Sequence, residues 1–206
     1  TVRVVVIRGE GRAFSAGLDR TLFGDSSSGI LALPHLSRTE ATAKIAEWQQ
    51  AFDWSSRPGL VSIAAVQGHA IGGGFQLALG ADLRIVAEDA QFTMAEPALG
   101  IVPDLGGTKR LVDLVVYSRA VDICLTARRV GADEALRVGL ATTVVPNSDL
   151  DAAVDETVAA LLAINRDAAI ETKALLQRAH TSSQDDQQAA ERGKQAARPP
   201  PVERPQ

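Results

Sequence analysis

Short apolar runs, separated by glycine, proline and polar residues, dominate the first two thirds of the chain. The runs at positions 2–7, 60–66 and 83–87 are almost continuously apolar, which is typical of parallel strands buried on both faces. Shorter strands are predicted at 90–92 and 141–145. Between the strands, Ser37 and Glu40 have the spacing of a capping box, and apolar residues at 41, 45, 48 and 52 recur with helical spacing. This alternation predicts an α/β core.

Helical periodicity replaces the alternation towards the carboxyl end. Helices are predicted at 75–80, at 108–117 and 118–127 with a junction at Ser118, at 132–138, and finally at 151–164 and 167–179. Four of the nine prolines lie in the last eight residues, where they oppose regular structure. We therefore expect a β/α core over residues 1–146, a helical region over 147–180 and a flexible proline-rich tail over 181–206.

Composition excludes several classes of protein. The 206 residues are 46% hydrophobic and 22% charged, with a net charge of −4, so a disordered chain or a nucleic-acid binder is not expected. No apolar run is long enough to span a membrane. The single cysteine, Cys124, and three scattered histidines offer neither an intrachain disulfide nor a metal site. We expect a cytoplasmic enzyme that binds no nucleic acid, membrane or metal.

The first candidate site is the glycine-framed segment from Gly9 to Gly17. It follows a strand, but Phe14 stands where a dinucleotide-binding fingerprint needs its third glycine, so that motif is excluded. Arg12 beside a glycine-permitted backbone would suit a phosphate group. A plain glycine turn is the alternative interpretation.

The second candidate site is the glycine triplet at positions 72–74, which opens a predicted helix. Free N–H groups at a helix N-terminus, with glycines that allow close approach, can stabilise an oxyanion. Tight packing of helix on sheet would explain the same glycines. Further along, Glu96 beside Met94 and Ala95 is suited to proton transfer, and Asp104 lies in a loop framed by proline and glycine. Both acids could also be solvated loop residues.

Taken together, these segments resemble the enoyl-CoA hydratase/isomerase family, the crotonase superfamily. The resemblance rests on AFSAGLD at 13–19, AAVQGHAIGGG at 64–74, AEPALGIVPDLGGTKRL at 95–111 and ADEALRVGL at 132–140. It covers roughly residues 1–180 and implies a crotonase-like spiral β/α core with a helical carboxyl-terminal region. The family's usual N-terminal strand and helix, and its usual C-terminal segment, are expected to be missing from this chain.

The resemblance also implies roles for individual residues. The main-chain N–H groups of Leu18 and Gly73 would form the oxyanion hole for a thioester enolate, and Arg12 and Ala16 would lie beside coenzyme A. The substrate-binding residues implied are Arg12, Ala16, Leu18, Asp19, His69, Gly72, Gly73, Gln76, Ala95 and Leu99. The implied catalytic residues are Glu96 and Asp104 with the two oxyanion donors. No cofactor is expected, because the substrate itself carries coenzyme A.

The reaction type depends on position 76. Hydratases of this family use two glutamates, but here Glu96 is accompanied by Gln76, which cannot transfer a proton. One acid–base with a neutral partner favours double-bond migration over hydration, although an amide could still orient a water molecule. Asp104 stands where some isomerases of the family carry a functional aspartate. Alternatives are hydrolysis or rearrangement of an acyl-CoA, or a non-catalytic CoA-binding or assembly protein. By resemblance we expect a homotrimer or a dimer of trimers.

Overall fold

The computed structural model describes residues 2–19 and 32–198, and its strands form two sheets. The strands are β1 (Val4–Arg8), β2 (Val61–Val66), β3 (His69–Ile71), β4 (Leu83–Ala87), β5 (Gln91–Thr93), β6 (Val130–Gly131) and β7 (Thr143–Val145). One sheet is parallel throughout, in the order β1-β2-β4-β7. The other has the order β3-β5-β6, with β3 and β5 parallel and β6 antiparallel to β5.

Helices occupy most of the remaining described chain. They are α1 (Arg38–Phe52), α2 (Gly73–Gly80), α3 (Gly107–Val115), α4 (Tyr117–Thr126), α5 (Ala132–Arg137), α6 (Leu150–Ala163), α7 (Arg166–Ala179) and α8 (Gln184–Ala196). The predicted capping box is present at the start of α1, where the Ser37 hydroxyl accepts from the Glu40 amide and the Glu40 carboxylate accepts from the Ser37 amide. In the described part of the chain, no helix is both long enough and apolar enough to cross a membrane. The predicted α/β class is confirmed.

The four-stranded sheet has an apolar core on each face. Ala64 and Val66 of β2 contribute to the larger core, which contains Phe75 and Phe92 with ring centroids 5.2 Å apart. The alternate residues of β2 and β4 pack beneath α6. Burial on both faces explains why β2 and β4 are mostly apolar, with Ser62 and Arg84 as their buried polar residues. The same expectation is wrong for β1, which is only half-buried and stands at one end of the sheet among the described strands.

Two other sequence expectations need correction. The break between α3 and α4 falls at Val116, whose φ of +63° ends α3, and not at Ser118. The tail expected to be flexible from residue 181 contains α8. Ser183 caps this helix by accepting from the Asp186 amide, and Gln187 donates to the carbonyl oxygen of Leu175 in α7. Residues 199–206 of the expected tail lie outside the described residues.

Candidate active site

Two backbone segments that carry predicted site residues run side by side. Ser15 forms a parallel bridge with Ala70 of β3, with hydrogen bonds from the Ser15 amide to the His69 carbonyl at 2.9 Å and from the Ile71 amide to the Ser15 carbonyl at 3.0 Å. Leu18 and Gly73 each lie three residues beyond this bridge. Neither of their amides donates a hydrogen bond to another described residue. The amides of Leu18 and Gly73, which have no acceptor among the described residues, therefore come after the bridge at the same end of the two paired segments.

Glu96 is placed by β5, which runs parallel to β3 with Ile71 opposite Thr93. After β5 the chain enters a turn of 3₁₀ helix at Pro97–Leu99, and Glu96 immediately precedes that turn. Its side chain is almost completely buried, at 7% exposed. Oε1 accepts a hydrogen bond from Gln76 Nε2 at 2.7 Å, whereas Oε2 is buried without a partner among the described residues.

Gln76 lies on α2 and is 1% exposed. Besides donating to Glu96, it accepts at Oε1 from the main-chain amides of Leu105 at 2.9 Å and Gly107 at 3.2 Å. An amide oxygen has two lone pairs, and both are engaged here. The side chain therefore joins three parts of the site: the helix after the glycine triplet, the buried carboxylate and the loop that precedes α3.

Asp104 lies next to this arrangement, one residue before Leu105. Partial burial raises the pKa of its carboxyl group. Its carbonyl oxygen accepts from Gln49 Nε2 at 2.7 Å, which ties the loop to α1. No hydrogen bond joins the Asp104 and Glu96 side chains among the described contacts.

Most of the remaining predicted site residues lie at the surface, but Gly72 is buried and Ala95 is half-buried. Leu18 is 41% exposed and Leu99 is 62% exposed, so both of these apolar side chains are open to solvent. Ala16, Asp19 and His69 are also exposed. Gly72 directly precedes α2, and a Cβ built on it would lie 3.3 Å from Glu96 Oε1.

Arg12 lines an open cleft of about 410 Å³. The other polar side chains of the cleft are Arg8, Gln67, Asp89, Asn147 and Asp151. Arg8 is paired with Asp151 at 2.8 Å, whereas Arg12 makes no hydrogen bond or ion pair with another described residue. Its guanidinium is therefore available to an anion.

The site also contains groups that sequence reasoning missed. The amides of Leu105 and Gly107 hold Gln76, and the pair Gly106-Gly107 was the only sign of them in the sequence. Cys124 on α4 is a second example. Its thiol pKa is raised by burial and, to a smaller extent, by the charge of Glu96. Within residues 2–19 and 32–198, no group of three potential ligands is arranged to hold a metal ion.

Comparisons with known proteins agree on one family. The profile of the family described as enoyl-CoA hydratase/isomerase matches residues 1–199. A probable enoyl-CoA hydratase of Mycobacterium bovis, echA8, is 33% identical over 182 residues, which is 88% of this chain and 66% of that protein. A carnitinyl-CoA dehydratase of Salmonella typhi is 50% identical over 88 residues, covering 43% of this chain and 34% of that protein. The chain thus spans less than two thirds of these relatives.

Solved structures extend the agreement to the fold. A putative enoyl-CoA hydratase from Thermobifida fusca YX in complex with CoA matches with a TM-score of 0.87 and 49% identity, over 95% of this chain and 76% of that one. The same protein in complex with acetoacetyl-CoA matches with a TM-score of 0.89 and 48% identity, over 95% and 77%. With both sequence and fold in agreement, this chain belongs to the enoyl-CoA hydratase/isomerase family and has the crotonase fold.

Proposed function

We propose that this protein binds an acyl-CoA thioester and moves a proton within its enoyl group, with Glu96 as the residue that carries the proton. The decisive observation is the difference between the two oxygens of Glu96. Oε1 is held by Gln76, whereas Oε2 is buried and has no partner among the described residues. Buried acceptors are nearly always satisfied in folded proteins. An acidic C–H group of a bound substrate would give Oε2 its proton.

The developing negative charge on the thioester oxygen requires hydrogen-bond donors. We assign this role to the main-chain amides of Leu18 and Gly73, which follow the Ser15–Ala70 bridge at equal distances along the chain. Gly73 is also the first residue of α2, where the helix dipole favours negative charge. Donors of this kind contribute about 2.7–4 kcal/mol each to transition-state stabilisation.

The hydrogen bonds of Gln76 favour isomerisation over hydration. Because both lone pairs of its oxygen are engaged by main-chain amides, residue 76 cannot accept a hydrogen bond from an attacking water. In the favoured reaction, Glu96 takes a proton from C2 of a 3-enoyl-CoA and the electrons move into the thioester as a dienolate. The same carboxyl group returns the proton to C4, which leaves the double bond between C2 and C3 and needs no other reactant.

Binding of the coenzyme is assigned to the surface around the amino-terminal loop. Arg12 is free to pair with a phosphate group, Ala16 lies along the same loop, and Leu18 and Leu99 offer exposed apolar contacts. The two structures of the Thermobifida fusca protein, with CoA and with acetoacetyl-CoA, support a ligand of this class. The proposed reaction uses no cofactor other than the coenzyme A that the substrate carries.

Assembly and location complete the proposal. Leu162 and Ile164 near the end of α6, and Leu176 on α7, are each between 45% and 66% exposed, and apolar surface of this kind marks a contact with another subunit. We propose a homotrimer or a dimer of trimers in the cytoplasm. Light scattering that gave a monomer at micromolar concentration would contradict the assembly.

The test is turnover of a panel of 2-enoyl- and 3-enoyl-CoA thioesters by the wild type and by Glu96→Gln. We expect 3-enoyl-CoA to gain the absorbance of the conjugated thioester, and Glu96→Gln to lower kcat by about 10²–10⁴-fold with the fold retained. Asp104→Asn is the companion variant, since an equal loss there would make Asp104 the second proton-transferring group.

Other outcomes identify the alternatives. Loss of the conjugated band from 2-enoyl-CoA, faster than its formation from 3-enoyl-CoA, would assign hydration as the main reaction. Calorimetric binding of CoA without turnover of any thioester would favour the non-catalytic binding protein. Full turnover by Glu96→Gln would contradict the role of this carboxylate.

A further inference from the structure

The orientation of the Gln76 side-chain amide is fixed by its surroundings. Its oxygen faces the amides of Leu105 and Gly107, and its nitrogen faces Oε1 of Glu96. A flipped amide would place NH₂ against two N–H donors and its oxygen against a carboxylate, so every contact would be repulsive. Gln76 can therefore act on Glu96 only as a donor.

Close packing leaves this side chain no other position. Gln76 is 1% exposed, and a Cβ built on Gly107 would lie 2.8 Å from its Cγ and 3.1 Å from its Oε1. A methyl group cannot be accommodated at these distances without displacing Gln76. Gly107 thus provides both a donor to the amide oxygen and the space that the side chain occupies.

We propose that Gln76 is a positioning residue, locked by the amides of Leu105 and Gly107, which holds Oε1 of Glu96 and thereby selects Oε2 as the oxygen that moves the proton. This inference rests on the proposed function, but assigns to residue 76 a task other than substrate binding. A rotating carboxylate would present either oxygen to the substrate. With Oε1 held by Gln76, only Oε2 is left for the substrate.

Two variants test whether Gln76 positions Glu96 or only stabilises the loop that contains Leu105. Gln76→Glu keeps an oxygen for the amides of Leu105 and Gly107 but removes the donor to Glu96. Gly107→Ala keeps the glutamine and displaces it. Since a donor stabilises the ionised carboxylate, we expect the acid limb of the kcat–pH profile on 3-enoyl-CoA to move to higher pH in both variants. The shift is larger for Gln76→Glu, which also places a like charge beside Glu96, than for Gly107→Ala.

The matched control is Gln49→Met. Gln49 also donates to this loop, at the carbonyl oxygen of Asp104, but it does not contact Glu96. We expect some loss of thermal stability and an unchanged acid limb. Titratable side chains on the elements around Glu96 include His69, Asp104, Lys109, Arg110, Asp122 and Cys124. All of them are present in every variant. Gln76→Glu adds a carboxyl group beside Glu96, so its acid limb reports on the pair, whereas a shift in Gly107→Ala reports on Glu96 alone.

The outcomes distinguish the inference from the proposed function. If Glu96→Gln abolishes turnover while Gln76→Glu and Gly107→Ala both keep the wild-type acid limb, the proposed function stands and the positioning role is wrong. If Glu96→Gln has no effect, the proposed function itself fails.

Discussion

The spacing of the Leu18 and Gly73 amides, which we propose as oxyanion donors, can be tested by adding one methyl group at Gly74. A Cβ built on Gly74 would lie 2.5 Å from Ser15 Cβ, 2.6 Å from Ser15 Oγ and 3.0 Å from the Ser15 carbonyl oxygen. Carbon atoms in contact are normally at least 3.5 Å apart. In Gly74→Ala the new methyl group would clash with Ser15. Because Ser15 and Leu18 lie on the same segment, that segment must move by about 1 Å away from α2.

The expected effect follows from that displacement. A misplacement of about 1 Å can cost about 10²-fold in rate, and complete loss of one oxyanion donor costs about 10²–10³-fold in kcat. We therefore expect Gly74→Ala to lower kcat on 3-enoyl-CoA by about 10²-fold, and also to raise KM, because the displaced segment carries Ala16 and Leu18, which we assign to coenzyme binding. Steady-state kinetics and chemical unfolding are measured on the same preparation.

A second substitution makes the prediction specific. Ser15→Gly removes the Cβ and Oγ that the new methyl group would strike, although it also loses the hydrogen bond from the Gly17 amide to Ser15 Oγ. The double variant Gly74→Ala/Ser15→Gly should recover most of the lost kcat, a coupling that a double-mutant cycle measures. Gly59→Ala, where a Cβ meets nothing within 4 Å, is the control. Wild-type kcat in folded Gly74→Ala would refute the reasoning.

Three further substitutions test other parts of the molecule. Arg12→Ala should raise KM for the CoA thioester more than it lowers kcat, by an amount that shrinks as salt concentration rises; a salt-independent loss of kcat alone would assign Arg12 another role. Asp104→Asn should remove a pH dependence of stability that unfolding in urea can measure. Burial raises the pKa of Asp104, so the folded state holds this proton more tightly, and the contribution of Asp104 to the free energy of unfolding falls as pH rises. Lys173→Met should lower the free energy of unfolding by about 1.5–3 kcal/mol, because Lys173 pairs with Asp82 at 2.8 Å with both side chains mostly buried. The exposed Lys44, paired with Glu47 on α1, should tolerate the same change; equal losses at the two lysines would contradict the role of burial.

The sequence predicts correctly those helices and strands that are determined by neighbouring residues in the chain. The largely apolar sequences of β2 and β4 reflect burial on both faces, and the Ser37–Glu40 pair places the start of α1. What packs against a strand is not a local property, so the apolar composition of β1 does not show that this strand is only half-buried. The helix α8 was missed although Ser183 and Asp186 carry a recognisable cap, because the prolines beyond residue 198 dominated the interpretation of the whole tail.

The family could be identified from the order and spacing of four motifs, and the comparisons confirm it. The roles of individual residues are a different matter. The motifs identify Glu96 and Gln76 as candidate residues, but they do not show which atoms of the two side chains form a hydrogen bond. The contacts that fix Gln76 come from amides 29 and 31 residues away in sequence, and main-chain amides carry no sequence signature.

Residue 76 illustrates why reaction type is harder to predict than fold in this protein. Glutamine and glutamate have nearly the same shape, and either can offer an oxygen to the amides of Leu105 and Gly107, so the surrounding fold does not distinguish them. They differ only in the atom that faces Oε1 of Glu96: nitrogen donates to that oxygen, whereas a second carboxylate oxygen must share a proton with it or repel it. A single exchange of nitrogen for oxygen can therefore change the number of carboxyl groups at this position of the fold from one to two, while leaving the packing around it intact.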